Sequence, residues 1–271
     1  MKAVTAVFAA FVILLAACGK SGPSYSETEF ASRTVNVNGI DYGYRVFLPK
    51  GRIDGQHLPV MLYLHGSNRR GIDNQSQLAD LNENIRGFPD YFKFIIVFPQ
   101  CREDTFWAGP MMDQALAALD KTVKEFNGDE SRLYLAGFSM GGFGTWQAAI
   151  TRPGRFAALV PIAGGIEPLG EVTDDDRKIL SPQTIAAASA PDPYRAFAEI
   201  LRNTPVWIVH GEKDEMVPVD GARKMFAALK SVGNANANYV ELAGVGHGSV
   251  VNAFSERKLF EWLAKQQLGT H

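Results

Sequence analysis

Three side chains in this sequence could together take the proton from a hydroxyl and stabilise the imidazolium that results: Ser139, Asp214 and His247. A serine hydroxyl is a weak nucleophile, so it needs an adjacent base, and an imidazole base needs a carboxylate to hold its tautomer. Each of the three follows an apolar stretch of strand type and sits in a glycine-bearing turn. Ser139 is the centre of Gly137-Phe-Ser-Met-Gly141, where glycines two residues to either side let a strand and the following helix approach without Cβ clashes. Asp214 lies in His210-Gly-Glu-Lys-Asp-Glu-Met-Val-Pro218, and His247 in Gly244-Val-Gly-His-Gly-Ser249. Glu212, Glu215 and Asp220 compete with Asp214 for the acid role. His65 and His210 each precede a glycine at a strand end and read as structural supports for turns.

Acyl transfer through such a trio also needs two N–H donors aimed at the developing oxyanion. The N–H of Met140, directly after the serine, supplies one, and the glycine-flanked loop His65-Gly-Ser-Asn-Arg-Arg-Gly71 points to the N–H of Ser67 for the other. That loop does not read as a phosphate cradle, since no Lys-Ser or Lys-Thr pair follows it. Trp107 is a candidate pocket wall that would favour a flat or short group, and Arg69 a candidate cation at the rim. Cys101 reads as a plain buried thiol. The formal net charge of −2 gives no electrostatic reason to expect nucleic acid. The five histidines are scattered and form no metal-ligand cluster, so neither metal nor cofactor is expected.

The elements that must position these residues alternate in type. Residues 34–37 and 42–48, separated by Asn38-Gly39, predict an antiparallel hairpin. Strands are expected at 58–64, 94–98, 133–136, 156–162, 205–209 and 238–242, with helices over 112–126, after Ser139 and near 259–263. The pattern predicts an α/β fold: a mostly parallel twisted sheet covered by helices on both faces, with its chemistry at the carboxyl ends of the strands. A small insertion, residues 165–203, precedes the penultimate strand and reads either as a cap or as a solvated connection.

The N-terminus reads separately. Lys2 and the apolar run 3–17 have the form of a secretory signal, and Leu15-Ala-Ala-Cys18 has the form of a lipidation site. On this reading residues 1–17 are removed, Cys18 carries lipid, 18–30 is a flexible tether and 31–271 is one domain. The run Leu15-Ala-Ala-Cys18-Gly19 resembles the lipobox of bacterial lipoproteins, and that resemblance, with Gly19 rather than aspartate after the cysteine, implies export to the outer membrane and attachment to the bilayer through Cys18.

Several of these segments, namely 58–74, 97–100, 137–146, 206–214 and Gly246-His247, resemble the α/β-hydrolase esterases grouped with predicted peptidases, polyhydroxybutyrate depolymerase-like enzymes and feruloyl-type esterases. The resemblance spans roughly residues 34–263. It implies a Ser139-His247-Asp214 triad, an oxyanion hole at Ser67 and Met140, and an ester as substrate, on a small molecule or a polymer fragment. The chain departs from the pattern at Asn68-Arg69-Arg70, where such enzymes commonly carry small or acidic residues. Cleavage of small peptides is the nearest alternative, and a non-catalytic binding lipoprotein on the same scaffold the next.

Overall fold

A computed structural model describes residues 29–53, 55–166 and 178–269. The apolar leader, Cys18 and residues 167–177 of the insertion lie outside the described residues. Eight strands form one sheet in the order β1-β2-β4-β3-β5-β6-β7-β8. They are β1 Phe30–Val37, β2 Ile40–Phe47, β3 Val60–Leu64, β4 Ile95–Pro99, β5 Leu133–Phe138, β6 Ala158–Ile162, β7 Val206–Gly211 and β8 Ala237–Leu242. The β1–β2 and β2–β4 pairings are antiparallel and the other five parallel, as the alternation of strands and helices predicts. Asn38 and Gly39 turn the opening hairpin at φ 53° and 80°, both positive, which suits the twist of the flanking strands.

Every residue of β3, β4, β5 and β6 is buried, because helices cover both faces of these central strands. Successive side chains alternate between faces. Val60, Leu62 and Leu64 join one core with α2 (Gly109–Phe126), α3 (Met140–Thr151) and α6 (Asp220–Ser231). Met61 and Tyr63 join the other, an aromatic-rich core with α1 (Asn82–Gly87), α7 (Ser249–Ala253) and α8 (Arg257–Leu263). Helix α2 begins earlier than the apolar spacing alone indicates, because Pro110 suits its first turn; it ends at Asn127 in the left-handed region, φ 53°.

One expectation needs correction. Phe30, assigned above to the tether, is the first residue of β1; its ring is wholly buried and packs 5.5 Å from Phe47 and 6.3 Å from Phe98. Serine, glycine and proline composition describes the residues before it, but burial of an aromatic ring decides where the fold begins. The described part of the insertion carries two helices, α4 (Pro182–Ala188) and α5 (Pro193–Ile200). Ser181 and Asp192 cap them through the N–H groups of Thr184 and Arg195. Helix α4 packs on α3 and α5 on α6, so this part extends the helical layer on one face of the sheet.

Candidate active site

The turn after β5 holds Ser139 at φ 54° and ψ −116°, a backbone conformation a residue with a Cβ seldom adopts. It is held there by its N–H, which donates to the Ile162 carbonyl on β6 at 2.9 Å, and by the fit of α3 against the sheet. A Cβ on Gly141 would lie 1.8 Å from the Leu64 carbonyl oxygen, and one on Gly137 2.1 Å from that of Gly141. No side chain fits at either point, which is why both positions are glycine. Ser139 therefore stands at the carboxyl edge of the sheet with helix α3 starting directly behind it. The first N–H groups of a helix have no acceptor within it, so the Met140 N–H is available to an anion.

Asp214 follows β7 and His247 follows β8, the two strands beyond β6. Gly211 lets their loops meet, since a Cβ there would fall 2.3 Å from the Gly246 carbonyl oxygen; the Lys213 N–H donates to the Val245 carbonyl at 2.9 Å. His247 Nδ1 lies 2.8 Å from Asp214 Oδ2, and its Nε2 lies 2.8 Å from Ser139 Oγ. The carboxylate can only accept, so Nδ1 carries the proton and Nε2 is left as the acceptor for the serine hydroxyl. The ring of Phe138 packs 5.0 Å from that of His247 and steadies it from below. Asp214 is enclosed, and its Oδ1 accepts from the N–H groups of Met216 and Val217 at 3.0 and 2.8 Å. The rival carboxylates are occupied elsewhere or exposed: Glu212 accepts from the Gly244 N–H, Asp220 pairs with Arg223, and Glu215 faces solvent.

The loop bearing Ser67 is braced from three sides. Asp80, which the sequence analysis did not single out, accepts from the Gly66 N–H at 3.2 Å, the Tyr63 hydroxyl at 3.3 Å and Arg69 Nε at 2.9 Å. His65 donates from Nδ1 to the Gly66 carbonyl at 2.7 Å and accepts at Nε2 from the Cys101 N–H at 2.9 Å. Both ring nitrogens are thus committed, and burial pushes its pKa down to about 4. It is structural, as its position before Gly66 suggests. Trp107 completes the brace by donating from Nε1 to the His65 carbonyl at 2.9 Å while packing edge-on to its ring.

This geometry corrects two pocket assignments. Trp107 is almost wholly buried, its Cβ fitting where Gly144 lacks one, and its polar atom is spent on the His65 carbonyl in the loop that leads to Ser67. The cavity it borders, about 260 Å³, lies between α2, α3 and residues 179–184 and is lined also by Met112, Gln147 and Thr151. Gln147 is eight residues along α3 from Ser139, which at about 1.5 Å per residue puts it roughly 12 Å away along the axis. Arg69 is not an unpaired rim cation, because its guanidinium is bound to the buried Asp80. Cys101 is buried as expected; its thiol lies 3.1 Å from Thr105 Oγ1 and burial pushes it up to about 11. Among the described residues no group of histidine, cysteine and carboxylate side chains could hold a metal ion.

The chain has relatives among known proteins. Over 170 residues the chain is 26% identical to a bifunctional acetylxylan esterase/xylanase of Neocallimastix patriciarum, covering 59% of this chain and 20% of that protein. Over 168 residues it is 26% identical to Esterase LipC of Mycobacterium tuberculosis, covering 52% of this chain and 41% of that one. The chain thus spans only a fifth to two fifths of these curated relatives. Among solved structures, a thermostable esterase superposes with a TM-score of 0.69 at 27% identity, covering 89% of this chain and 64% of its own. The fold is that of the α/β-hydrolases, and a family model described as the prolyl oligopeptidase family matches residues 104–269, a span that takes in Ser139, Asp214 and His247. With more than half of its length matched, the chain belongs to the prolyl oligopeptidase family.

Proposed function

We propose that this chain is a serine hydrolase of carboxylic esters, exported and held to a membrane through a lipid on Cys18. The unbroken line of hydrogen bonds from Ser139 through His247 to Asp214 carries the reading. As the serine oxygen attacks the ester carbonyl, His247 Nε2 takes its proton and Asp214 stabilises the imidazolium that forms. The carbonyl electrons move to oxygen, which the N–H groups of Met140 and Ser67 receive. Collapse of this intermediate expels the alcohol, which takes the proton from His247 and leaves an acyl-serine. Water then repeats the cycle on the acyl group, giving the carboxylic acid and free Ser139. No cofactor enters these steps. Two relatives described as esterases and a similar solved esterase support an ester rather than an amide. The family model's name keeps peptide cleavage as the second reading. Short or aromatic acyl groups are the proposed substrates: the described part of the insertion lies against α3 and α6, with no long amphipathic helix to cover an alkyl chain. The anchor rests on Leu15-Ala-Ala-Cys18 and the apolar run before it.

The test is labelling by a fluorophosphonate together with turnover of matched aryl esters and anilides, graded from acetyl to palmitoyl. Labelling that vanishes in Ser139→Ala, and preference for a short or aromatic ester, are expected. Faster anilide cleavage would select the peptidase reading, and wild-type turnover in Ser139→Ala would remove the mechanism. Cys18→Ser should move the protein out of the membrane fraction of cells that express it.

A further inference from the structure

Asp214 accepts hydrogen bonds from Met216, Val217 and His247, and a second histidine stands beside it. His210 ends β7 four residues earlier, and its Nε2 lies 2.9 Å from the Val217 carbonyl oxygen and 3.3 Å from Asp214 Oδ2. Both neighbours are acceptors, so Nε2 carries the proton and Nδ1 is bare. That Nδ1 is buried and meets no hydrogen-bond partner. An enclosed polar atom left without a partner is destabilising, and an apolar side chain of the same size would avoid it. Glu241, the register partner of His210 on β8, faces the same region, but Arg223 at 2.6 Å and the Tyr239 hydroxyl already hold its carboxylate. What His210 supplies is therefore its Nε2–H, placed against the oxygen that also receives His247.

Given the relay proposed above, we infer that His210 is a positioning residue for the acid: its Nε2, bonded through its proton to the Val217 carbonyl and 3.3 Å from Asp214 Oδ2, fixes the carboxylate plane that aims His247 at Ser139. The two peptide N–H groups hold Oδ1, but a carboxylate held at one oxygen still swings at the other. His210 closes that freedom as a second nitrogen against Oδ2. It also draws some negative charge from Oδ2, so its removal strengthens the pull of Asp214 on a protonated His247.

The experiment is kcat and KM across pH for wild type, His210→Phe, which keeps a flat ring and removes the donor, and His210→Gln, whose amide N–H reaches toward the Nε2 position. His210→Phe should lower kcat on the order of tenfold to a hundredfold, leave KM near wild type, and move the acid-side fall in turnover to higher pH. His210→Gln should recover most of the lost turnover. If His210→Phe does not fold, His210→Asn, whose amide ends near the Nδ1 position, serves as the variant without a donor and should show the same loss. Unchanged kcat and an unchanged pH profile in the donor-less variant would overturn the assignment. So would equal losses in the donor-less and glutamine variants that track their melting temperatures without any shift in the profile. Ser139→Ala, run in parallel, separates the two ideas: full turnover there would overturn the relay and this role with it, whereas an inactive Ser139→Ala beside a wild-type-like His210→Phe would overturn only the role of His210.

Discussion

Four carboxylates lie within a few residues of one another around the end of β7, yet only Asp214 has its oxygens reached by two peptide N–H groups and a histidine bonded to Ser139. Asp214→Asn presents an amide that can donate to His247 and so favours the wrong tautomer. Turnover of an aryl ester should fall on the order of 10^4-fold. Glu212→Gln, which touches only the Gly244 N–H, should stay within about twofold in the same assay. The reverse ranking would mean the acid has been misassigned. His65 gives a second prediction at this scale. Its pKa, lowered to about 4 by burial, lies below the ordinary histidine value of about 6.5. The unfolded chain therefore binds a proton between pH 6.5 and 4 that the folded chain refuses, and this contribution to stability is full above that window and lost as pH falls through it. The loss amounts to ~3 kcal/mol, and urea midpoints measured from pH 7 to 4 should drop accordingly. An equal drop in a folded His65→Asn protein would show that the slope comes from elsewhere.

Elements explain which parts of the site could be read in advance. The strand-to-helix turn at Ser139 announces itself locally, because Gly137 and Gly141 are required by backbone atoms only a few residues or one strand away. The brace of the loop bearing Ser67 does not. Asp80 meets Gly66 and Arg69 from a separate segment, and nothing in its sequence neighbourhood marks it. Trp107 looked like a pocket wall because it follows a strand end, but the gap opposite it is made by Gly144 on α3, a pairing visible only after packing. Arg69 likewise found its partner through the tertiary fold. The contact of α3 with β3 is itself testable. Gly141→Ala would drive a Cβ into the Leu64 carbonyl, backbone against backbone, and should cost on the order of 3 kcal/mol. Gly248→Ala, at a site with no atom within 4 Å of the added carbon and an ordinary negative φ of −72°, should leave the denaturant midpoint nearly unchanged. Similar midpoints for both variants would refute the packing argument at the elbow.

At the scale of the whole molecule, the mostly parallel sheet was legible from the alternation of segments, and the antiparallel start from Asn38-Gly39. The strand order was not, because crossovers that return β4 to the outer side of β3 depend on handedness and packing rather than on any one residue. The starting point of the fold was misplaced by a residue, since composition registers the run of small and polar residues but not where the Phe47 and Phe98 rings wait for Phe30.

That ring also gives the molecule a direction. Phe30 pairs with Phe47, which pairs with Ile96 near the start of β4, so the chain enters the fold at the amino edge of the parallel strands, whereas Ser139 follows the carboxyl end of β5. Entry and mouth are thus on opposite sides of the sheet, separated by the five-residue length of the central strands, roughly 17 Å of backbone. Attachment at residue 29 itself would leave the edge that carries Ser139 turned away from the point of attachment, like a lamp wired from beneath. Beads bearing the protein through residue 29 should retain the turnover of free enzyme. Beads bearing it through a cysteine placed at Met216, an exposed position beside Asp214 on the mouth side, should lose most of it on bulky esters. Equal retention by both would mean that the two edges are equally open to substrate.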